Sequence, residues 1–215
     1  MFLVSAGIII RGMRTIACLV VSAVVVAAQS YPPPFPRPGA TKMLDNERVQ
    51  VWNVAWPKGQ PTPLHRHPYA MTGQYYAPGD RMITAVDGSK RPVSTKAGGI
   101  VWQLKGVTHV EEGTSDEPLR AVMIELKQDA PSGQADASGT APPFTAGGAR
   151  PLLDNERVTV WDYTPPPKPV THRHAHDAVG VWIDGTTPHA VWIPRGTAHA
   201  GDMAGASRAT IFELK

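Results

Sequence analysis

Cysteine is almost missing from this 215-residue chain: Cys18 is the single example. A disulfide framework within the chain is excluded, and so is a cluster of thiolate metal ligands. Excess charge of one sign is also lacking. Twenty-one Lys and Arg stand against 18 Asp and Glu, a net charge of +3, and no dense basic run occurs, so no nucleic-acid partner is expected. Uninterrupted stretches long enough for helices are scarce beyond the N-terminus, because 22 Pro and 20 Gly punctuate the chain with turns. No Ser-His-Asp set or phosphate loop with recognised spacing is present. What remains is 42% hydrophobic residues, enough for a core, arranged in short runs between turn signals.

The N-terminus reads as an export signal. Arg11 and Arg14 precede the apolar run from Ile16 to Ala28, and Val26-Ala27-Ala28 supplies small residues before Gln29. The run falls short of the roughly 20 residues of a membrane span. Cleavage after residue 28 would remove Cys18 and leave a periplasmic or secreted protein with no membrane attachment; an uncleaved anchor is the alternative. Met13 is a second possible start, since the signal is complete from there. Residues 29–40 include Tyr31-Pro32-Pro33-Pro34-Phe35-Pro36-Arg37-Pro38, expected to be an extended polyproline spacer.

A repeat organises the rest. Leu44-Asp45-Asn46-Glu47-Arg48-Val49-Gln50-Val51-Trp52 returns as Leu153-Asp154-Asn155-Glu156-Arg157-Val158-Thr159-Val160-Trp161, and Ile124-Glu125-Leu126-Lys127 returns as Phe212-Glu213-Leu214-Lys215. Two copies, 41–127 and 150–215, are therefore joined by an Ala/Gly/Ser/Pro-rich linker, 128–149. Within copy one, alternating runs at Arg48–Trp56, Arg81–Val86, Arg91–Thr95, Gly99–Leu104 and Leu119–Leu126 predict strands, with a hairpin turn at Asp87-Gly88-Ser89-Lys90. Copy two is shorter. His67 to His109 spans 42 positions and His174 to His199 only 25, which is 17 fewer; the missing part corresponds to that hairpin. A copy this small is expected to lean on its neighbour, sheet against sheet.

Each copy carries His-x-His and, after a glycine turn, a third histidine: His65, His67 and His109, then His172, His174 and His199. Residues i and i+2 of a strand project from one face, and three converging imidazoles suit a divalent transition metal. Histidines left from a lost site are the alternative for each set. His176 extends the second face as a fourth ligand, a proton shuttle or a plain loop residue; His189 is expected in a turn. Glu111, two residues after His109, is a candidate carboxylate, weighed against a role without metal. Tyr69, Tyr75, Tyr76 and Trp102 are candidate pocket residues, Trp52 and Trp161 candidate core, while Arg66 and Arg173 should point away from the histidines.

These motifs resemble the cupin superfamily. Gly59, His65, His67 and Gly79 match the spacing of its first motif, with Met71 or Thr72 where the motif has glutamate. Pro194-Arg195-Gly196-Thr197-Ala198-His199 matches the second motif throughout, and Leu104-Lys105-Gly106-Val107-Thr108-His109 lacks only its proline. In copy two Ala178 or Val179 fills the glutamate slot. The resemblance covers about residues 41–215 and implies an all-β protein of two tandem double-stranded β-helix (jelly-roll) copies, a bicupin, the second shortened, with a signal helix before them. It also implies a metal (Fe, Mn, Ni, Cu or Zn) held at one end of each barrel. Some cupin dioxygenases use three histidines alone, so the resemblance favours an exported, dioxygenase-type enzyme acting on a small organic substrate. A non-catalytic ligand- or metal-binding cupin of the cell envelope, or a scaffold with vestigial sites, are the alternatives. Open edges in copy two make a homodimer a further expectation.

Overall fold

Each copy opens with the same turn, and the repeated Asp-Asn-Glu-Arg sequence explains it. In the computed structural model, which describes residues 30–129, 148–164, 170–200, 203 and 206–215, Asn46 Oδ1 accepts hydrogen bonds from the Arg48 and Val49 amides, at 2.8 and 2.9 Å. Asn155 does the same for Arg157 and Val158. An Asn side chain that satisfies the following amides sets a tight turn. It joins β1 (Ala40–Asp45) to β2 (Val49–Trp56) in copy one, and β10 (Gly148–Asp154) to β11 (Val158–Thr164) in copy two. The repeated C-terminal lysines close the same corner: Lys127 pairs with Asp45 and Lys215 with Asp154, both at 2.5 Å. The expected signal peptide, 1–28, and most of the 128–149 linker lie outside the described residues.

Copy one continues through β3 (His65–Arg66), β4 (Ala70–Ala77), β5 (Gly79–Ala85), β6 (Lys90–Thr95), β7 (Ile100–Gln103), β8 (Thr108–Gly113) and β9 (Leu119–Leu126). A five-stranded sheet, β1-β2-β9-β4-β7, is accompanied by a four-stranded one, β3-β8-β5-β6. The hairpin read from Asp87-Gly88 is β5–β6. Copy two adds β12 (Asp177–Asp184), β13 (Thr187–Ile193) and β14 (Ala209–Leu214), forming one sheet, β10-β11-β14-β12-β13. Strand for strand this repeats the five-stranded sheet of copy one. Among the described residues copy two has no second sheet; the pairing of β3 with β8 survives as one bridge, His172 to His199.

Strand alternation decides how the layers stack. On β2 and β9, Trp52, Val54, Trp56, Leu119, Ala121 and Met123 join one buried cluster within copy one. The intervening Val49, Val51, Val122, Ile124 and Leu126 join another, together with Val158, Val160, Val179, Val181, Phe212 and Leu214 of copy two. The two five-stranded sheets thus share a core, and the middle sheet is buried on both faces. At its rim Arg48 forms an ion pair with Asp177, whose other oxygen accepts the Arg195 amide at 2.9 Å.

The proline-rich segment does not stand off as a spacer. Phe35 is only 7% exposed and stacks on Trp52 with ring centroids 5.0 Å apart. The Arg66 amide donates to the Pro32 carbonyl at 2.9 Å. The Arg37 guanidinium lies 5.3 Å from the Trp56 ring, a cation–π contact. The segment is therefore packed onto copy one through Phe35, Arg37 and the Pro32 carbonyl.

Candidate metal centres

His65 on β3 is the register partner of His109 on β8, which brings histidines 44 positions apart in the chain onto one inner surface. His67 follows where the chain leaves β3: its amide donates to the Val107 carbonyl at 2.9 Å, and its carbonyl accepts the Gly106 amide at 2.8 Å. Gly106 has φ of 89°, a conformation open to glycine at little cost, and it reverses the chain so that His109 faces the pair. Gly196, with φ of 67°, does the same before His199, and its amide donates to the His174 carbonyl at 2.9 Å.

In copy one the three imidazoles form a nearly equilateral group, with centroids 4.8 to 5.1 Å apart. All three are buried, and their available nitrogens lie within 4.8 Å of one another. The Pro63 carbonyl, 2.9 Å from His65 Nδ1, can only accept, so the proton sits on Nδ1 and the Nε2 lone pair is free. That Nε2 is buried with no hydrogen-bond partner. His67 Nε2 and His109 Nε2 are 3.2 Å apart. Two nitrogens ~2.1 Å from one ion at an angle near ~100° would be separated by about 3.2 Å. Burial lowers the pKa of all three, His67 to about 3 with further lowering by its two neighbours. Neutral imidazoles with converging lone pairs fit a divalent transition metal.

Copy two repeats the arrangement with more exposure. His172, His174 and His199 have centroids 4.3 to 5.2 Å apart and ligand atoms within 4.8 Å. His172 Nδ1 donates to the Val170 carbonyl at 2.8 Å, matching His65. His174 is fully buried, while His172 and His199 are half-buried.

No protein-family model and no curated protein matches the sequence, but solved structures match the fold. AerE from Microcystis aeruginosa is 12% identical over 86% of this chain and 97% of its own, with a TM-score of 0.54. A cupin domain from Bordetella pertussis Tohama I is 26% identical over 47% of this chain and 100% of its own (TM-score 0.39). A cupin 2 conserved barrel domain protein from Leptotrichia buccalis is 12% identical over 82% and 88% (TM-score 0.48). This protein shares the fold of AerE.

Where cupin motifs place a glutamate, Met71 is core and Thr72 is fully buried with its hydroxyl donating to the Val101 carbonyl at 2.9 Å. Among the described residues neither histidine group includes a carboxylate. Glu111 shares the inward face of β8 with His109, as its spacing predicts, but both its oxygens are engaged: Arg81 pairs with Oε1 at 2.9 Å and Trp56 Nε1 donates to Oε2 at 3.0 Å. Burial would raise its pKa, yet Arg81 and the neighbouring histidines outweigh that and lower it. Glu111 is thus a fixed negative charge beside the triad.

The other candidates separate clearly. Tyr75 lines a cavity of about 20 Å³ beside His67, with Phe35, Met71, Arg81 and Glu111; that is room for roughly one water. Tyr69 lines a groove of about 430 Å³ with Tyr31, Phe35, Arg66 and Glu125. Tyr76 and Trp102 pack instead against the core between the copies. Arg66 and Arg173 are exposed, as strand alternation requires, and His176 is half-buried outside both histidine groups. His189 is not in a turn: it lies on β13 and stacks on Trp182, centroids 5.0 Å apart. Trp52 and Trp161 do more than fill space, since their Nε1 atoms donate to Glu125 Oε2 at 3.0 Å and Glu213 Oε2 at 2.8 Å. Both glutamates were visible in the repeated strand ends, where the sequence served only to show duplication. Arg81 and Phe35 carried no signal short of the tertiary structure.

Proposed function

We propose that this protein is an exported, metal-binding bicupin whose two three-histidine centres serve a metal-dependent reaction on a small organic substrate. The observation that carries this reading is the pair of triads, each with its ligand nitrogens within 4.8 Å. A bound Fe, Mn, Ni, Cu or Zn ion would supply Lewis acidity or, for the redox metals, chemistry toward dioxygen. The chain's own residues orient the imidazoles through the Pro63 and Val170 carbonyls. They also hold the Glu111 charge near the copy-one triad and restrict water there to a cavity of about 20 Å³. The groove along Tyr31, Arg66 and Tyr69, about 430 Å³, falls in the roughly 300–1,000 Å³ range of small-molecule sites.

That tight cavity also favours a second reading, a non-catalytic cupin that binds metal or a small ligand in the cell envelope. Metal analysis of the untagged mature protein tests both. Two equivalents of metal per chain are expected, one lost with His65→Ala/His67→Ala and one with His172→Ala/His174→Ala. Oxygen uptake with candidate substrates would then select the enzyme reading. A chain without stoichiometric metal would overturn both metal readings.

A further inference from the structure

Among the described residues, the second histidine of the His-x-His pair has a carboxylate partner in copy two and none in copy one. In copy two His174 Nδ1 lies 3.2 Å from Glu213 Oε1, while Trp161 Nε1 donates to the other oxygen of the same carboxylate at 2.8 Å. His174 and Glu213 are 0% and 5% exposed. In copy one the matching tryptophan, Trp52, donates to the matching Glu125, but His67 Nδ1 is buried with no hydrogen-bond partner. Register shows what intervenes. Glu213 is directly across from Ala178, and Glu125 directly across from Met71. Each is one of the two candidates for the position where cupin motifs carry glutamate. In copy two the slot holds a methyl group, and the carboxylate on the adjacent strand extends past it to His174. In copy one the same position holds a four-atom Met side chain, packed in the core and lining the small cavity beside His67.

We propose that Glu213 is the carboxylate of the second metal centre: it lies on β14 rather than β12, and it acts as a positioning residue through His174. It fixes the proton on Nδ1, aims Nε2 at the ligand position, and places a negative charge behind the imidazole, which raises its basicity toward a divalent metal. Copy one lacks this support because Met71 occludes it. The two centres therefore differ in metal affinity for a stated reason. This inference rests on the reading that the copy-two triad binds metal.

The test uses the full chain with His65→Ala/His67→Ala, so that Co(II) can bind only in copy two, followed by its visible absorption. Glu213→Gln should weaken Co(II) binding about 10- to 100-fold, the usual effect of losing such a partner, and shift the absorption band. Glu125→Gln in the same background should leave both unchanged. The converse arm uses His172→Ala/His174→Ala: adding Met71→Ala should tighten Co(II) binding in copy one about tenfold, and adding Glu125→Gln as well should cancel the gain. A loss of folding cannot mimic that gain, so this arm decides the matter if Glu213→Gln does not fold. Co(II) binding and spectrum unaltered by Glu213→Gln would overturn the inference alone. No Co(II) binding by the copy-two background chain would overturn it together with the metal reading of that copy.

Discussion

Arg81 sets the charge state beside the copy-one triad. It reaches Glu111 Oε1 at 2.9 Å and donates to the Tyr75 hydroxyl at 2.6 Å, and it lies 5.2 Å from the Trp56 ring. Removing one member of a buried ion pair strands the other, which costs about 3–5 kcal/mol. Arg81→Met should lower unfolding free energy by about that amount in urea titration at neutral pH, and the double change with Glu111→Gln should recover most of it. Glu125 makes the opposite case. Among the described residues it has no cationic partner in contact, and burial raises its pKa from 4.5 to about 7, against the Trp52 hydrogen bond. The folded chain then keeps a proton that the unfolded chain releases, so this residue's contribution to stability falls as pH rises from about 4.5 to about 7 and stays low above. Glu125→Gln should stabilise the protein at pH 8 and leave it nearly unchanged at pH 4. Thermal melts at both values check this, with roughly 3 kcal/mol as the upper bound.

Among the elements, the docked segment 31–38 and the glycine turns do most to shape copy one. Phe35 closes the inner cluster against Trp52 and lines the cavity beside His67. Deleting a buried aromatic ring typically costs about 3–5 kcal/mol. Phe35→Ala should destabilise copy one on that scale and speed exchange of metal from its triad, read by transfer to a chelator. Gly106 works differently, because a side chain at its φ of 89° is strained whatever the space. Its turn positions His109, so strain there is felt at the centre before it is felt in the core.

At the scale of the whole molecule, copy two depends on copy one. Among the described residues it has a single sheet, and its buried Val158, Val160, Val179, Val181, Phe212 and Leu214 meet Val49, Val51, Val122, Ile124 and Leu126. Nothing among the described residues of copy two corresponds to β5 and β6, so no second sheet encloses it. Residues 148–215 alone should lack cooperative unfolding and sharp amide dispersion, whereas 31–127 should retain both. Phe212→Ala in the full chain should cost about 3–5 kcal/mol, seen as a lowered denaturation midpoint.

Period-two alternation, Gly and Pro punctuation, and an internal repeat were local signals, and they sufficed for an all-β chain in two copies. The β9 boundaries, the β5–β6 hairpin, the shortened second copy and both histidine triads were legible for that reason: each depends on spacing along one strand or across one turn. Long-range contacts carry no such imprint. Nothing local marks Phe35 as the partner of Trp52, or Arg81 as that of Glu111. Nor could any spacing show that Glu213 reaches His174 while Glu125 is cut off from His67. That outcome depends on which side chain sits across a neighbouring strand, Met71 or Ala178, and cross-strand register exists only once the sheet has formed.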